Sequence, residues 1–468
     1  MTADVIQFVD SIAANPTVRL SLNDDATFRC RAFLAPPPRL RRSMSQNAMT
    51  DGGYVSTSQY GTRTLVIDLD LISDTQDDNA AALQRLSREL DRERSLIRYQ
   101  PAGASAPVFF VLWRSDYAAL IDIPAALAFR QVTIEIAAEP FALGLREPVS
   151  IGTITNDPAA ATRGCYFEVS SIKGDVAAPL VIHETSFTHS VLHLGVRQHG
   201  TPSDMTWFKQ CESMTAGTLT ALAGSTDATL SGTGNNYMRT SFATPGDAMA
   251  TRVTWNLPAD VTTTAKKQAL RGSYRVLVWA KQSVAGGTCS LRWHGQATGI
   301  YGPTVALAVS SSRQLVDLGV ISFGDTATVG HGATLGVDAT NESIELQASV
   351  AGSSGSPTLD WDVVMLVPAD EMLHINANAV LSAPIDGYMI DSVNESLTPV
   401  VGDPYASGTT GWRPAASVTG GWPYVRPDQT NRFIFAFDEG LTASSKTQSA
   451  SFAASYWPRY LHVRPATS

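Results

Sequence analysis

Period-two alternation of apolar and polar side chains constrains this chain more than any other feature. Leu65, Ile67, Leu69 and Leu71 share one side of a strand whose other side carries Thr64, Asp68 and Asp70. Val132, Ile134 and Ile136 alternate with Gln131, Thr133 and Glu135. Val18, Leu20 and Leu22 alternate in the same way, as do Phe28, Cys30, Ala32 and Leu34. Such alternation belongs to strands buried on one face. One segment departs from it: Leu83, Leu86 and Leu90 form a helical stripe, with Arg85, Arg88, Glu89, Arg92 and Glu93 around it. Thr75 and Asp78 have the spacing of a capping box, and Asp77 and Asp78 place negative charge on the positive end of the helix dipole. Residues 1–150 therefore read as a β-sandwich or small barrel with one helix, at about 75–94, laid across a sheet.

The rest of the chain is β as well. In 151–204, "IKGDVAAPLVI" joins turn residues to a strand and suits a connector. In 205–372, "YRVLVWAK", "SLRWH", "RQLVDLGVISF", "ESIELQASV" and "LDWDVVMLV" are separated by Gly, Ser and Thr turns, the spacing of a jelly roll or related sandwich. The last region, 373–468, holds "YMIDSV" and "RFIFAFD", with Phe433, Phe435 and Phe437 on one face. The closing "SYWPRYLHVRP" is aromatic and basic, and Pro458 limits it to an edge or bulge. This region is either a small domain or a return that completes an earlier sheet. The fold class is mainly β.

Net charge is −9, which disfavours a nucleic-acid partner. Arg39, Arg41 and Arg42 follow the triple proline Pro36–Pro38 and read as a mobile loop or arm, or alternatively as a phosphate patch. Cys30, Cys165, Cys211 and Cys289 lack metal-ligand spacing and read as free thiols in strands, from a protein folded in a reducing cytosol. "MTADVIQFVD" has no basic region or long apolar run, so no signal peptide is expected, and "PVFFVLW" is too short to span a bilayer.

Catalytic motifs are mostly absent. His183, Glu184 and His189 miss the HExxH spacing because residue 187 is Phe, and His193 stands in strand-like sequence, so no metal is assigned. There is no GxSxG elbow and no P-loop. Asp360 and Asp362 flank Trp361 and resemble paired glycosidase carboxylates, although a solvated strand face explains them more simply. Asn341-Glu342-Ser343 and Asn394-Glu395-Ser396 match the glycosylation sequon. No catalytic residue and no cofactor follow, and the chain is not read as an enzyme.

Aromatic parity says more. Trp255 alternates with Val253 and Leu257, Trp361 with Leu359, Val363 and Met365, and Trp293 shares parity with Leu291, all core faces. Trp279 lies opposite Val276, Val278 and Ala280, beside Arg275 and Lys281. An indole among cations suits stacking on a sugar. Packing under a loop or at a subunit contact is the plainer reading.

Taken in order, these pieces resemble the distal tail (Dit) proteins of long-tailed bacteriophages and related minor tail proteins of the tail tip. "GTRTLVIDLDLISDTQDDNAAALQRLSREL", "APVFFVLW" and "VTIEIAAEPFALG" are similar to the family's N-terminal belt domain. "IKGDVAAPLVI" is similar to its connector, "LGVRQHGTPSDMTWFKQCES", "LVDLGVISF" and "LDWDVVMLVP" to a sugar-binding-type jelly roll, and "SYWPRYLHVRP" to its closing strand. The resemblance implies a six-subunit ring between the tail tube and the tip hub, in the virion, after assembly in the host bacterial cytoplasm. It also implies possible contact with host-surface polysaccharide, for which Trp279, Arg275 and Lys281 are the candidates. The runner-up is a carbohydrate-binding protein or glycoside hydrolase with accessory β-domains.

Overall fold

A computed structural model describes residues 4–24, 26–46, 53–114, 129–158, 165–186, 191–197, 207–223, 236–242, 246–263, 265–266, 270, 272–282, 287–307, 309, 313–323, 342–352, 356–369, 372–376, 387–400, 417–438 and 449–462. The chain is mainly β, in antiparallel sheets, and divides into two units. The first comprises Met1–Glu147, Ile172–Ala178 and Tyr456–Ser468; the second comprises Pro148–Ser171 and Pro179–Ser455.

The first unit is built on one sheet. Its strands lie in the order Val18–Ser21, Val5–Val9, Arg94–Gln100, Val108–Trp113, Phe129–Ala138, Arg63–Ile72 and Phe28–Leu34. The alternation of Leu65 to Leu71 turns those four side chains into a single fully buried core. The sheet curls on itself, so that Phe33 stacks on Tyr99 with ring centroids 4.4 Å apart. A bulge sets that contact. Cys30 pairs with Leu69 and Ala32 with Asp68, which leaves Arg31 as the extra residue, tied to Asp70 at 3.1 Å. One inserted residue reverses side-chain parity. Phe33 therefore points inward and Leu34 is 56% exposed, against the simple alternation expected of Phe28 to Leu34.

The helix runs Gln76–Leu90 and stops short of residue 94, because Arg94 opens the next strand. Thr75 caps it: its hydroxyl accepts from the Asp78 backbone N–H at 3.1 Å and donates to the Asp78 carboxylate at 2.6 Å. The buried stripe is Asn79, Ala82, Leu86, Glu89 and Leu90, with Leu83 at its margin. Glu89 was expected among the solvated residues; it is buried because Arg19 (3.2 Å) and Arg92 (2.9 Å) neutralise it.

The second unit contains two sandwiches. In one, residues expected as connector and as C-terminal segment interleave. One sheet orders Glu147–Thr155, Ser449–Tyr456, Ala178–Ser186, Gly387–Asp391 and Ser396–Val400. The other orders Tyr166–Val169, Asn431–Asp438, Val191–Arg197, Met372–Asn376 and Ser417–Gly420. A phenylalanine core joins them, with Phe167 stacked on Phe433 (4.5 Å) and Phe435 on Phe452 (4.8 Å).

The other sandwich, within 207–369, has one sheet with Thr220–Ala223, Tyr237–Ser241, Thr358–Pro368, Gly272–Gln282 and Gln314–Phe323 in that order. Its second sheet orders Thr215–Ala216, Ala250–Asn256, Ser343–Ala351, Thr288–Gly295 and Val305–Leu307. Trp255, Trp293 and Trp361 lie in the core between them. Trp279 pairs with Val363 and Ala280 with Trp361, so Asp362 is bulged out. That bulge sends Leu359, Trp361, Val364 and Leu366 to one face and Val363, Met365 and Val367 to the other. Val363 and Met365 thus leave the face expected for Trp361.

Candidate functional site

In the first unit, Leu40–Gln46 and Gly53–Tyr60 form a two-stranded ribbon. Among the described residues it pairs with no other strand. Arg39, Leu40, Arg41 and Arg42 are exposed at its root, where the Gly61 N–H donates to the Arg39 carbonyl at 2.9 Å. The basic cluster expected in a loop or arm thus enters a strand. Tyr60, paired with Leu40 at the same root, packs edge-on against Phe141 at 5.2 Å, and the Arg459 guanidinium lies 5.1 Å from the Phe141 ring.

Arg459 belongs to the closing strand. Leu143 and Ala142 pair with Arg459 and Tyr460, so the last strand extends the first unit's sheet. The connector is fastened beneath it. Gly174 has φ +114°, and a Cβ there would stand 2.9 Å from the Arg459 carbonyl oxygen, so the close approach requires glycine. The Asp175 N–H donates to that carbonyl at 2.8 Å. Lys173 donates its N–H to the Tyr456 hydroxyl (3.0 Å) and pairs with Glu147 (2.9 Å). Arg63, at the start of the longest run of alternating leucines, donates to the Pro140 and Leu461 carbonyls. Burial lowers its pKa to about 10.

The three candidate ligand residues do not share an open face. Trp279 is 0% exposed. It lies in a second core with Leu277, Val363 and Met365 against Ile434 and Ala436 of the neighbouring sandwich. Arg313 covers its ring at 4.3 Å, pairs with Asp362 at 2.7 Å and donates to the Asn156 carbonyl. Trp279 is thus enclosed in a core and does not stand on the open face that stacking on a sugar requires. Arg275 is ion-paired with Asp317, and Lys281 stands across from Asp360 in the ladder. A readable signal was present. "VLVWA" and "VVMLV" are unbroken apolar runs, which belong to strands buried on both faces.

The carboxylate pair is likewise dismantled. Asp360 receives a bidentate bond from Arg239 at 2.7 and 2.8 Å, while Asp362 is held by Arg313. Both carboxylates are buried and ion-paired rather than solvated strand residues. Glu212, on the turn Cys211–Ser213, is the group this arrangement perturbs: burial, and then the charges of Asp362 and Asp157, raise its pKa to about 7.

His189 lies outside the described residues, and His183 is only half-buried. His193 instead meets His374, its ladder partner, with Nδ1 atoms 3.2 Å apart. Burial, then the charge of its neighbours, holds the His193 imidazole well below its usual pKa. Among the described residues no group of three or more ligating side chains is placed to hold a metal, and no helix is long and apolar enough to cross a membrane. The four cysteines are free thiols. Cys165 and Cys211 stand outside strands, against expectation, and burial pushes the pKa of Cys289 up to about 12.

No model of a known protein family matches the chain, and no curated protein matches it. Among solved structures it is similar to the SPP1 Dit protein, described as a paradigm of the hub adsorption apparatus in phages infecting Gram-positive bacteria. The TM-score is 0.31 at 16% identity, over 43% of this chain and 72% of that one. It is similar to a chain of the phage p2 baseplate in its activated conformation, with TM-score 0.25 and 9% identity over 77% and 98%. It is also similar to a Paenibacillus xanthan lyase, with TM-score 0.24 and 8% identity over 96% and 59%.

Proposed function

We propose that the chain is a ring-forming structural subunit of a phage tail tip, which joins the tail tube to the tip hub in the virion and carries an adhesive outer sandwich. One observation carries this reading: the ribbon Leu40–Gln46 and Gly53–Tyr60. Two strands alone are marginally stable in water, and their outer edges offer unpaired backbone groups. A ribbon rooted on a packed sheet by Gly61, Tyr60 and Phe141 is therefore built to be completed by another chain. A contact between different patches of identical subunits propagates head to tail and closes into a ring at the right rotation. The order of pieces in the sequence, sheet with helix, connector and closing strand, agrees with the distal tail resemblance and its six-fold ring.

Native mass spectrometry tests the reading. The expected result is a hexamer, and a chain in which residues 40–60 are replaced by a short Gly-Ser turn should run as a monomer that melts at the wild-type temperature. A wild-type monomer at micromolar concentration, or a ring that persists without the ribbon, would overturn it.

A further inference from the structure

We propose that the tip 295–302 of the large sandwich is a preorganised contact for a neutral polysaccharide, with Tyr301 as its anchor. This deepens the adhesive part of the function proposed above and rests on it for the host-surface context.

The tip joins strand Thr288–Gly295 to Val305–Leu307 and is fastened at nearly every residue. The Gly295 N–H donates to Ile300 O (2.8 Å), Gln296 N–H to Ser343 O (3.0 Å), Gly299 N–H to Gly295 O (2.9 Å) and Gly302 N–H to Trp293 O (2.9 Å). Glu342 is 0% exposed, and its carboxylate accepts from the Ala297 N–H (3.0 Å), the Thr298 N–H (3.2 Å) and the Thr298 hydroxyl (3.1 Å). A Cβ on Gly302 would lie 2.2 Å from Trp293 Nε1, so the backbone sits directly on the core indole. A buried carboxylate committed to three donors of one loop holds that loop in one shape.

The loop held so firmly displays apolar surface. Tyr301 is 51% and Ile300 48% exposed. Tyr301 is also supported from the sheet: its ring stacks with His294 at 4.3 Å, and the Arg292 guanidinium lies 4.2 Å from its centroid. His294 is bound to Glu345 at 2.7 Å and Arg292 to Gln347 at 2.9 Å. An aromatic side chain fixed before binding loses little entropy on contact, as in paratopes rich in Tyr, Gly and small polar residues.

Charge and size choose the ligand. Every residue from Gln296 to Leu307 is uncharged, in a chain of net charge −9, and Gln296 presents an amide beside the two apolar side chains. That composition matches hydroxyls and the apolar C–H surface of an uncharged sugar; the cation beside it, Arg292, lies against the Tyr301 ring and is bound to Gln347. A stable protein interface needs roughly 800 Å² from each partner. An eight-residue tip does not present that area, whereas a few sugar rings do not require it. Repetition around a ring raises avidity without further contacts.

Native affinity electrophoresis of the full chain tests the site, using gels that contain dextran, hydroxyethyl cellulose, mannan, galactan or arabinogalactan, with xanthan as the acidic control. At least one neutral polymer should retard the wild-type protein. Tyr301→Ala should abolish the retardation at an unchanged melting temperature, and Tyr301→Phe should keep most of it. Hydrogen exchange of 295–302 in the wild-type protein should slow with the retarding polymer, which settles the case should Tyr301→Ala fold poorly. No retardation by any neutral polymer, retardation by xanthan alone, or equal retardation of Tyr301→Ala overturns the proposal. A Tyr301→Ala effect confined to co-assembly with another tail protein overturns it too and makes the tip a protein contact. A hexamer that no gel retards removes the site and leaves the ring; a retarded monomer leaves the site and removes the ring.

Discussion

Asp175 and Leu461 are 286 residues apart, and the Leu461 N–H donates to the Asp175 carboxylate at 2.8 Å. With the Asp175 N–H bound to Arg459, this pair fastens the connector to the closing strand inside the first unit.

That fastening predicts an order of damage. Asp175→Ala removes one acceptor and should cost about 0.5–1.5 kcal/mol. Gly174→Ala should cost more, about 1–3 kcal/mol, because it strains a left-handed backbone and drives a methyl into Arg459. Ending the chain at residue 455 removes buried Tyr456 and Tyr460 and should give insoluble protein. Urea denaturation of the variants checks the order; a soluble truncation with wild-type melting would refute the role of the last strand.

Leu86 is buried under the helix, so Leu86→Ala should destabilise the first unit by roughly 2–5 kcal/mol. The loss should appear in ring assembly before it appears in polysaccharide retardation. A change well below 1 kcal/mol in chemical denaturation would place the helix in solvent instead.

Trp279→Ala should cost roughly 3–5 kcal/mol by emptying a fully buried site. Arg313→Ala leaves Asp362 buried without its cation and should cost a similar amount, about 3–5 kcal/mol. Neither change should alter retardation by polysaccharide where the protein is folded. Selective loss of binding in Trp279→Ala with unchanged melting would return the ligand to that indole.

Glu212 predicts a pH dependence. Its carboxyl is raised from 4.5 to about 7 on folding, by burial first and then by Asp362 and Asp157. The folded chain therefore holds a proton that the unfolded chain releases between those values. This contribution is fully present below about pH 4.5 and is lost as pH rises through 7. His193 and His374, both lowered by burial, act in the opposite sense as the unfolded imidazoles protonate below about 6.5. The comparison with Glu212→Gln isolates the carboxyl. Denaturation at pH 5, 6, 7 and 8 should show the wild type losing stability relative to the variant as pH rises. Parallel profiles would remove Glu212 as the cause.

What depends on neighbours in the chain was readable. Thr75 caps the helix because its acceptor and the Asp78 N–H are three residues apart, and no distant partner is needed. Leu65 to Leu71 are buried together because strand pleat alone sends alternate side chains to one side. Trp255, Trp293 and Trp361 follow from the same rule.

The sequence by itself determined the β class, the helix Gln76–Leu90, its cap and which side chains of most strands share a face. Tertiary structure alone decided the bulges at Arg31 and Asp362, the interleaving of 178–186 with 387–391, and the covering of Trp279. Each depends on pairing between segments far apart in the chain. One extra residue opposite a partner strand reverses every later side chain, and a second sheet laid over an apolar face turns an apparent binding indole into core. Period two shows that a strand has two sides; it does not show what will cover them.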